Sequence, residues 1–457
     1  MTHGFWNVAS VAHALHSPVQ DSSSGHSHGN AEFAGISTDT RTIRAGDLFV
    51  ALAGERYDAH DYLREAIAAG AHGVVVSRAS AAEGLEVPVF VVHDTLVALG
   101  DLARFHRLAW GGPVVAVAGS NGKTSTKELL RAALESSMTV HATTGNLNNR
   151  VGVPITLLAL PTDADVAVIE LGTSIPGEIA MLRDIARPDI AIVTSIAEEH
   201  LEGFGDIAGV LKEEASVFHG VTTGIIPAGD AELAAAASSV RKLVRAGLDE
   251  GEFAATVWKL EADGTGMVNV DGSQIRSPMR GMHNLRNLML ALAAARELDV
   301  PMAEAAVGLA RMTPPPMRAN WQNIGKALVI NDAYNANPGS AMAAIEMLAV
   351  APGTQKVAML GSMLELGSES DNCHDRVSLA ALASTVDLVA GMGTFAASLR
   401  RVASGDERVI IAEDVNELWQ LLVPRLRADA TILLKASRGA RLERILPLIS
   451  SWSNPEC

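Results

Sequence analysis

At 457 residues the chain has room for two to four domains of roughly 100–200 residues each, and 48% hydrophobic residues supply ample cores. Its net charge of −16 argues against a nucleic-acid partner, because a duplex is gripped by clustered lysine and arginine that displace its counterions; a locally basic pocket for a small anion is not excluded. Two distant cysteines, Cys373 and Cys457, argue against a disulfide framework or a cysteine zinc site and fit a reducing cytoplasm. The N-terminus lacks a basic segment followed by an apolar core, and no uninterrupted apolar run of about 18 residues reads as a membrane span.

Residues 1–110 read as a small α/β domain. Gln20–Asn30 is polar, with His26 and His28 among serines and glycines; a flexible loop and an adventitious metal site are both open readings. After Ile36-Ser37-Thr38-Asp39-Thr40-Arg41 comes a turn at Gly46-Asp47 and a strand to Leu52. The pattern then predicts a helix over Ala59–Ala69, strands at Gly73–Ser77 and Val87–Val92, and a helix over Thr95–Ala109.

Residues 111–312 open on the apolar run Val114–Ala118, followed by Gly119-Ser120-Asn121-Gly122-Lys123-Thr124-Ser125 and a helix carrying Leu129, Leu130 and Leu134. Strand, glycine loop and helix with Lys-Thr at its start is a grip for nucleotide phosphates. Glycines let backbone N–H groups turn toward the anion, the helix N-terminus adds positive potential, Lys123 reaches the outer phosphates and the Thr124 hydroxyl suits Mg²⁺. The spacing is shorter than Gly-x-x-x-x-Gly-Lys-Ser/Thr, with Val117 where that pattern has glycine, so a plain glycine turn is the alternative. The runs Asp165–Leu171 and Asp189–Ile196 lead to Glu170 and to Glu198-Glu199-His200. In an open parallel sheet ligands sit at the carboxyl ends of strands, so Glu170 and His200 become candidate metal partners if their strands neighbour the first. Each also has a plain reading, as a solvated strand-end charge or a loop cap. Shorter strands fill 224–280, and Gly281–Asn287 opens an alanine- and leucine-rich helix to about Glu297.

Met312-Thr313-Pro314-Pro315-Pro316 reads as a stiff linker. Residues 313–457 alternate strands (Ala327–Ile330, Lys356–Leu360, Leu388–Ala390, Val409–Ala412, Thr431–Lys435) with helices from about Ser340, near Asp375–Ala383 and near Val415–Leu426, a dinucleotide-fold-like pattern. Asn331–Pro338 and Lys435-Ala436-Ser437-Arg438 are polar clusters at strand ends; Lys435 and Arg438 there suit a carboxylate or phosphate, and turn chemistry or solvation is the alternative.

Six motifs, in order, carry a resemblance: Gly119–Ser125, Thr144–Pro154, Glu170-Leu171-Gly172-Thr173-Ser174, Glu199–Gly205, His283–Asn287 and Asn331–Pro338. Together they resemble the Mur ligases, over nearly the whole chain. The resemblance implies a UDP-sugar domain, a central P-loop ATPase-type parallel sheet and a C-terminal Rossmann-like domain. It implies ATP and Mg²⁺ as cofactors, a cytoplasmic setting, and ligation of D-alanyl-D-alanine to a UDP-N-acetylmuramoyl-tripeptide through an acyl phosphate. Lysine or diaminopimelate as the tripeptide's third residue stays open. Monomeric behaviour is expected, since no long apolar helix face stands out.

Residue by residue, the resemblance implies that Gly119 to Ser125 bind phosphates, with Thr124 and Glu170 on the first metal and His200 on the second. Asn284 and Asn287 lie near adenine, Arg318 meets the γ-phosphate, and Asp332 meets the ribose or its metal. Ser37, Asp39, Arg41 and Asp47 resemble the uridine-diphosphate segment, and Asn146, Asn148 and Asn149 line the sugar-peptide. Tyr334, Asn335 and Asn337, with Lys435, Ser437 and Arg438, belong to the dipeptide side. There are two departures. Family members usually carry a lysine, carboxylated by CO₂, shortly after the Glu-His motif; aligning Val210–Phe218 by its terminal Phe puts Glu214 there, with Lys212 as the rival. Ser362 stands where the family more commonly has aspartate.

Overall fold

The computed structural model of the chain describes residues 4–20, 31–54, 56–261 and 263–453. The histidine-bearing stretch 21–30 and Cys457 lie outside the described residues. The fold is mixed α/β with mainly parallel sheets, as the sequence predicts. Its residues gather into two compact units, one of Met1–Ala116, Thr139–Gly172 and Ala180–Asp189, the other of Val117–Met138, Thr173–Ile179 and Ile190–Cys457.

In the first unit, a five-stranded sheet runs in the order Val19–Gln20, Val89–Val91, Gly73–Val76, Leu48–Val50, Ile36–Ser37, parallel except where Val19–Gln20 pairs. The helix Thr95–Trp110 starts on Asp94, whose carboxylate accepts from the N–H groups of Leu96 and Val97, and ends on Gly111 at φ 75. Asp94 thus satisfies donors that the first turn leaves open, and glycine adopts the left-handed stop without a Cβ clash.

A seven-stranded sheet is ordered Phe253–Ala254, Lys242–Gly247, Thr223–Pro227, Ile190–Val193, Val114–Ala118, Val166–Glu170, Val140–Ala142. The strands that end at Glu170 and lead to His200 are therefore the two neighbours of the phosphate-loop strand. Every residue of Val114–Ala118 and of Val166–Glu170 is buried, which is why both read as unbroken apolar runs rather than as an alternation.

In the second unit, a six-stranded sheet runs Asn320–Ile324, Ala327–Asp332, Thr431–Lys435, Lys356–Leu360, Leu388–Met392, Val409–Ala412; only the Asn320–Ile324 edge is antiparallel. Successive strand residues point to opposite faces. Accordingly Ile330, Ala358 and Leu433 join one core with Leu348, Cys373 and Leu399, while Val329, Val357 and Ile432 join another with Leu418, Ile445 and Ile449.

Several elements depart from the sequence expectation. The helix placed near Ser340 begins at Pro338, because Asn337 and Ser340 form a reciprocal capping box with proline in the first turn. The helix placed over Val415–Leu426 ends at Leu422 and tightens into a 3₁₀ turn at Val423–Arg425, where Pro424 has no N–H to offer. Helices Val8–Leu15, Ala231–Ala236, Met302–Leu309 and Thr394–Val402 were not anticipated, and the prolines at 314–316 lie beyond the end of Met302–Leu309.

Met302–Leu309 packs on Lys123–Leu134, the helix behind the phosphate loop, and Gly308 makes the approach close: a Cβ there would lie 2.0 Å from the Ala132 carbonyl oxygen. Gly308→Ala should force the two helices apart, costing about 1–3 kcal/mol. A drop of a few degrees in the thermal unfolding midpoint of the whole chain is the expected readout; an unchanged midpoint would contradict the contact.

Candidate functional site

The phosphate loop is shaped by what its glycines permit. Gly119 sits at φ 114, and a Cβ there would lie 2.5 Å from Thr194 Oγ1; Gly122 sits at φ 88, with the Asn287 amide 2.7 Å from where a Cβ would be. Both positions combine a left-handed backbone with close approach, so both need glycine. The loop is tied down by its neighbour strand: Ser120 N–H donates to Ser195 O (2.8 Å), Asn121 N–H to Ser195 Oγ (3.0 Å) and Thr194 Oγ1 to Asn121 O (2.6 Å). Lys123 curls back, donating from Nζ to the carbonyls of Gly119 (2.5 Å) and Ser120 (3.3 Å).

Buried acids gather around this lysine. Glu199 Oε1 lies 3.6 Å from Lys123 Nζ. Burial, opposed by Lys123 and reinforced by Glu214, pushes the Glu199 carboxyl up to about 8. Glu214 is also buried and raised, and its Oε2 accepts from Gly119 N–H at 2.7 Å. Lys212, two residues earlier, is exposed. Glu213 turns the other way on the same helix: it accepts from Gly177 N–H (2.7 Å) and Ile179 N–H (2.8 Å), fixing the start of the helix Glu178–Ala186. Neither Glu213 nor Glu199 was singled out from sequence; a carboxylate beside His200 or beside Glu214 was the available signal. Asn284 and Asn287 are buried together, Asn287 Nδ2 donating to Asn284 Oδ1 at 3.3 Å.

The second unit also brings the C-terminal motifs to the loop. Asn337 Nδ2 donates to Asn121 Oδ1 at 2.9 Å, and Arg376 Nη2 to Glu198 Oε2 at 2.5 Å. A cleft opens here, lined by Glu199, His200, Asn335, Asn337, Glu365 and Arg438 among others. His200 has its backbone at φ 49 and its Nδ1 in contact with the Glu365 carboxylate; burial lowers its basicity and Glu365 opposes that. Ser437 is buried, its Oγ accepting from Leu364 N–H at 3.0 Å. Lys435 is buried too, but its ammonium pairs with Asp332 Oδ2 (2.6 Å) and donates to Asn335 O (2.9 Å), while Asp332 Oδ1 accepts from Ala319 N–H. Arg318 stacks its guanidinium 4.2 Å over the Tyr334 ring. Ser362 accepts from Thr394 N–H at 2.9 Å, so the hydroxyl supplies a helix-start contact without an aspartate.

In the first unit, Asn148 Nδ2 donates to Glu170 Oε1 at 2.9 Å, and Asn149 Oδ1 accepts from Gly152 N–H at 2.9 Å at the start of the helix Gly152–Leu158. Asn146 is exposed. Ser37 and Asp39 form a tight turn, Asp47 accepts from Arg44 N–H at 2.8 Å, and the Arg41 guanidinium holds the Asp39 carboxyl down at about 2.

Among the described residues no group of three or more His, Cys, Asp or Glu forms a ready metal cage. Mg²⁺ takes one or two protein oxygens and completes its shell with phosphate and water, and an imidazole such as that of His200 is a softer donor.

Three family models match the chain: Mur ligase family, catalytic domain, over residues 32–107; Mur ligase middle domain over 117–295; and Mur ligase, glutamate ligase domain, over 317–438. The chain is 36% identical over 422 residues to the UDP-N-acetylmuramoyl-tripeptide–D-alanyl-D-alanine ligase of Escherichia coli (strain K12), covering 90% of this chain and 92% of that one. It is 33% identical to the enzyme of the same name from Bacillus subtilis (strain 168), with the same two coverages of 90% and 92%. In structure it is similar to MurF from Acinetobacter baumannii, with a TM-score of 0.89 at 29% identity over 98% of this chain and 99% of that one. It is also similar to a MurF ligase from Thermotoga maritima solved in complex with ADP, with a TM-score of 0.82 at 27% identity over 93% and 98%. Six ordered motifs, a phosphate loop held against buried acids, and matches along nearly all its length converge: the chain belongs to the Mur ligase family.

Proposed function

We propose that the chain is an ATP-dependent ligase that joins D-alanyl-D-alanine to a UDP-N-acetylmuramoyl-tripeptide, giving the pentapeptide precursor of peptidoglycan. The observation that carries this reading is the pairing, within one unit, of the Gly119–Ser125 loop with the mixed-charge cleft of Asn337, Glu365 and Arg438. The loop receives the triphosphate; the tripeptide's terminal carboxylate takes the γ-phosphoryl group and ADP leaves; the dipeptide nitrogen, having given up its ammonium proton to solvent, attacks the resulting acyl phosphate, and the tetrahedral adduct loses a further proton and collapses to amide and phosphate. Such a reaction gathers many negative charges, so its demands are neutralisation and positioning. Lys123 supplies a cation. Mg²⁺, when bound, supplies charge neutralisation and a fixed phosphate geometry, with Thr124, Glu170 and His200 as the residues offered to it.

The remaining roles follow the same reading. Ser37, Asp39, Arg41 and Asp47 serve the uridine diphosphate; Asn146, Asn148 and Asn149 serve the sugar-peptide; Asn284 and Asn287 lie on the adenine side, and Arg318 serves the γ-phosphate after leaving its stack on Tyr334. Asp332 and Lys435 act through their pairing, which fixes the Asn335 loop. The functional domains would be 1–110, 111–312 and 313–457; one family model falls within each, which supports that division. No described helix is long and apolar enough to cross a membrane; a cytoplasmic monomer is the setting that fits a nucleotide-linked substrate.

Glu214, rather than a carboxylated lysine, supplies the acidic group beside the loop. Its burial and its bond to Gly119 N–H support this, as does the exposure of Lys212.

Phosphate release measured with ATP, the UDP-tripeptide and each of several amines should be strong only with D-alanyl-D-alanine; equal release with glutamate would redirect the assignment. Lys123→Ala should lower turnover by about a hundredfold or more, and near-normal turnover would remove that lysine from the chemistry. Added bicarbonate should leave wild-type turnover unchanged while Glu214→Ala stays impaired; strong stimulation of the wild type by bicarbonate would sink the Glu214 reading.

A further inference from the structure

The cleft beside His200 contains a carboxylate that the reaction above leaves without a task. A dipeptide arrives as a zwitterion, and a guanidinium lines the cleft, that of Arg438, which pairs with Glu443 at 3.2 Å and is the cation there suited to a carboxylate. Two acids line the same cleft and could meet its ammonium. Glu199 is only 5% exposed and already lies 3.6 Å from Lys123. Glu365 is in contact with His200 Nδ1 through one carboxylate oxygen but keeps 58% of its side-chain surface open, and among the described residues no lysine or arginine is in ion-pair contact with it.

The backbone around Glu365 is built to present that group. Met363 and Leu366, on either side, are each 2% exposed and anchored in the C-terminal core. Glu365 itself adopts φ 65, a left-handed conformation that non-glycine residues adopt at a cost, and it faces His200, at φ 49. The Glu202 N–H donates to Glu365 O at 3.4 Å, holding the two strained segments together. The loop is thus anchored at Met363 and Leu366, while Leu364 and Glu365 between them line the cleft, the Glu365 carboxylate in contact with His200.

We propose that Glu365 binds the α-ammonium of the incoming D-alanyl-D-alanine and sets the position of its nitrogen. This rests on the reading of the cleft as the dipeptide site. Glu365 recognises the amine end, Arg438 the acid end, and discrimination against dipeptides with a blocked amine follows from the first contact.

The test is steady-state kinetics on the full chain, wild type against Glu365→Gln. The KM for D-alanyl-D-alanine should rise about ten- to hundredfold, the scale of a lost hydrogen bond to a charged group. The KM for ATP and for the UDP-tripeptide, and the Mg²⁺ concentration giving half the maximal rate, should stay unchanged. N-propionyl-D-alanine, which lacks the ammonium, should inhibit both proteins equally, and Glu365→Asp, which keeps the charge, should restore much of the dipeptide KM. An unchanged dipeptide KM overturns the proposal. So does an equal weakening of the propionyl analogue, which marks a purely structural role, or a raised Mg²⁺ requirement, which assigns Glu365 to a metal beside His200. Wild-type protein that ligates another amine but not D-alanyl-D-alanine overturns the proposed function and this inference with it; normal wild-type turnover with an unaltered variant overturns this inference alone.

Discussion

One ammonium among buried acids is the constraint on which the second unit is built. Lys123 can curl onto Gly119 and Ser120 because the loop is glycine-bearing, and it faces Glu199 across 3.6 Å. Glu214 meets the same loop through a backbone N–H. Burying carboxylates costs free energy unless cations or donors compensate. Here the compensation comes from the Gly119–Ser125 loop, so under the proposed function acid and nucleotide address the same few donors. Charge around Lys123 must be redistributed when a triphosphate arrives, and a divalent cation is the natural way to balance the sum.

That constraint propagates outward through short, directional bonds. Glu213 and Glu214 are adjacent on one helix, yet one fixes the 173–179 segment and the other the phosphate loop. Successive helix residues point about 100° apart, so a single turn of helix braces two segments at once. In the C-terminal half the same economy appears as Lys435, whose one ammonium joins the end of the Ala327–Asp332 strand to the Asn335 loop.

Much of this was legible before any coordinates. Val114–Ala118, Lys356–Leu360 and Thr431–Lys435 are bounded in the structure as the apolar runs indicate, because strands buried on both faces leave a continuous signal. The phosphate loop was legible because its chemistry is local. What was hidden is long-range or weakly patterned. The edge strand Asn320–Ile324 is polar and only half-buried, and Met302–Leu309 is too short to show a periodicity. The Lys435–Asp332 pair spans 103 residues, so each partner read as a solvated strand-end charge. Glu365 sits between two leucines, so nothing local marks it; only the folded loop, buried at Met363 and Leu366, brings it into contact with His200.

Asn337 begins a helix and grips the phosphate loop with the same amide. Its oxygen accepts from Ser340 N–H at 2.9 Å, and its nitrogen donates to Asn121 at 2.9 Å. Aspartate could keep the first bond but has no proton for the second; alanine loses both. The helix start and the nucleotide loop, 216 residues apart in sequence, are therefore tied to one choice of side chain. Fraying of that first turn would be felt at the phosphates before any residue of the loop itself had changed.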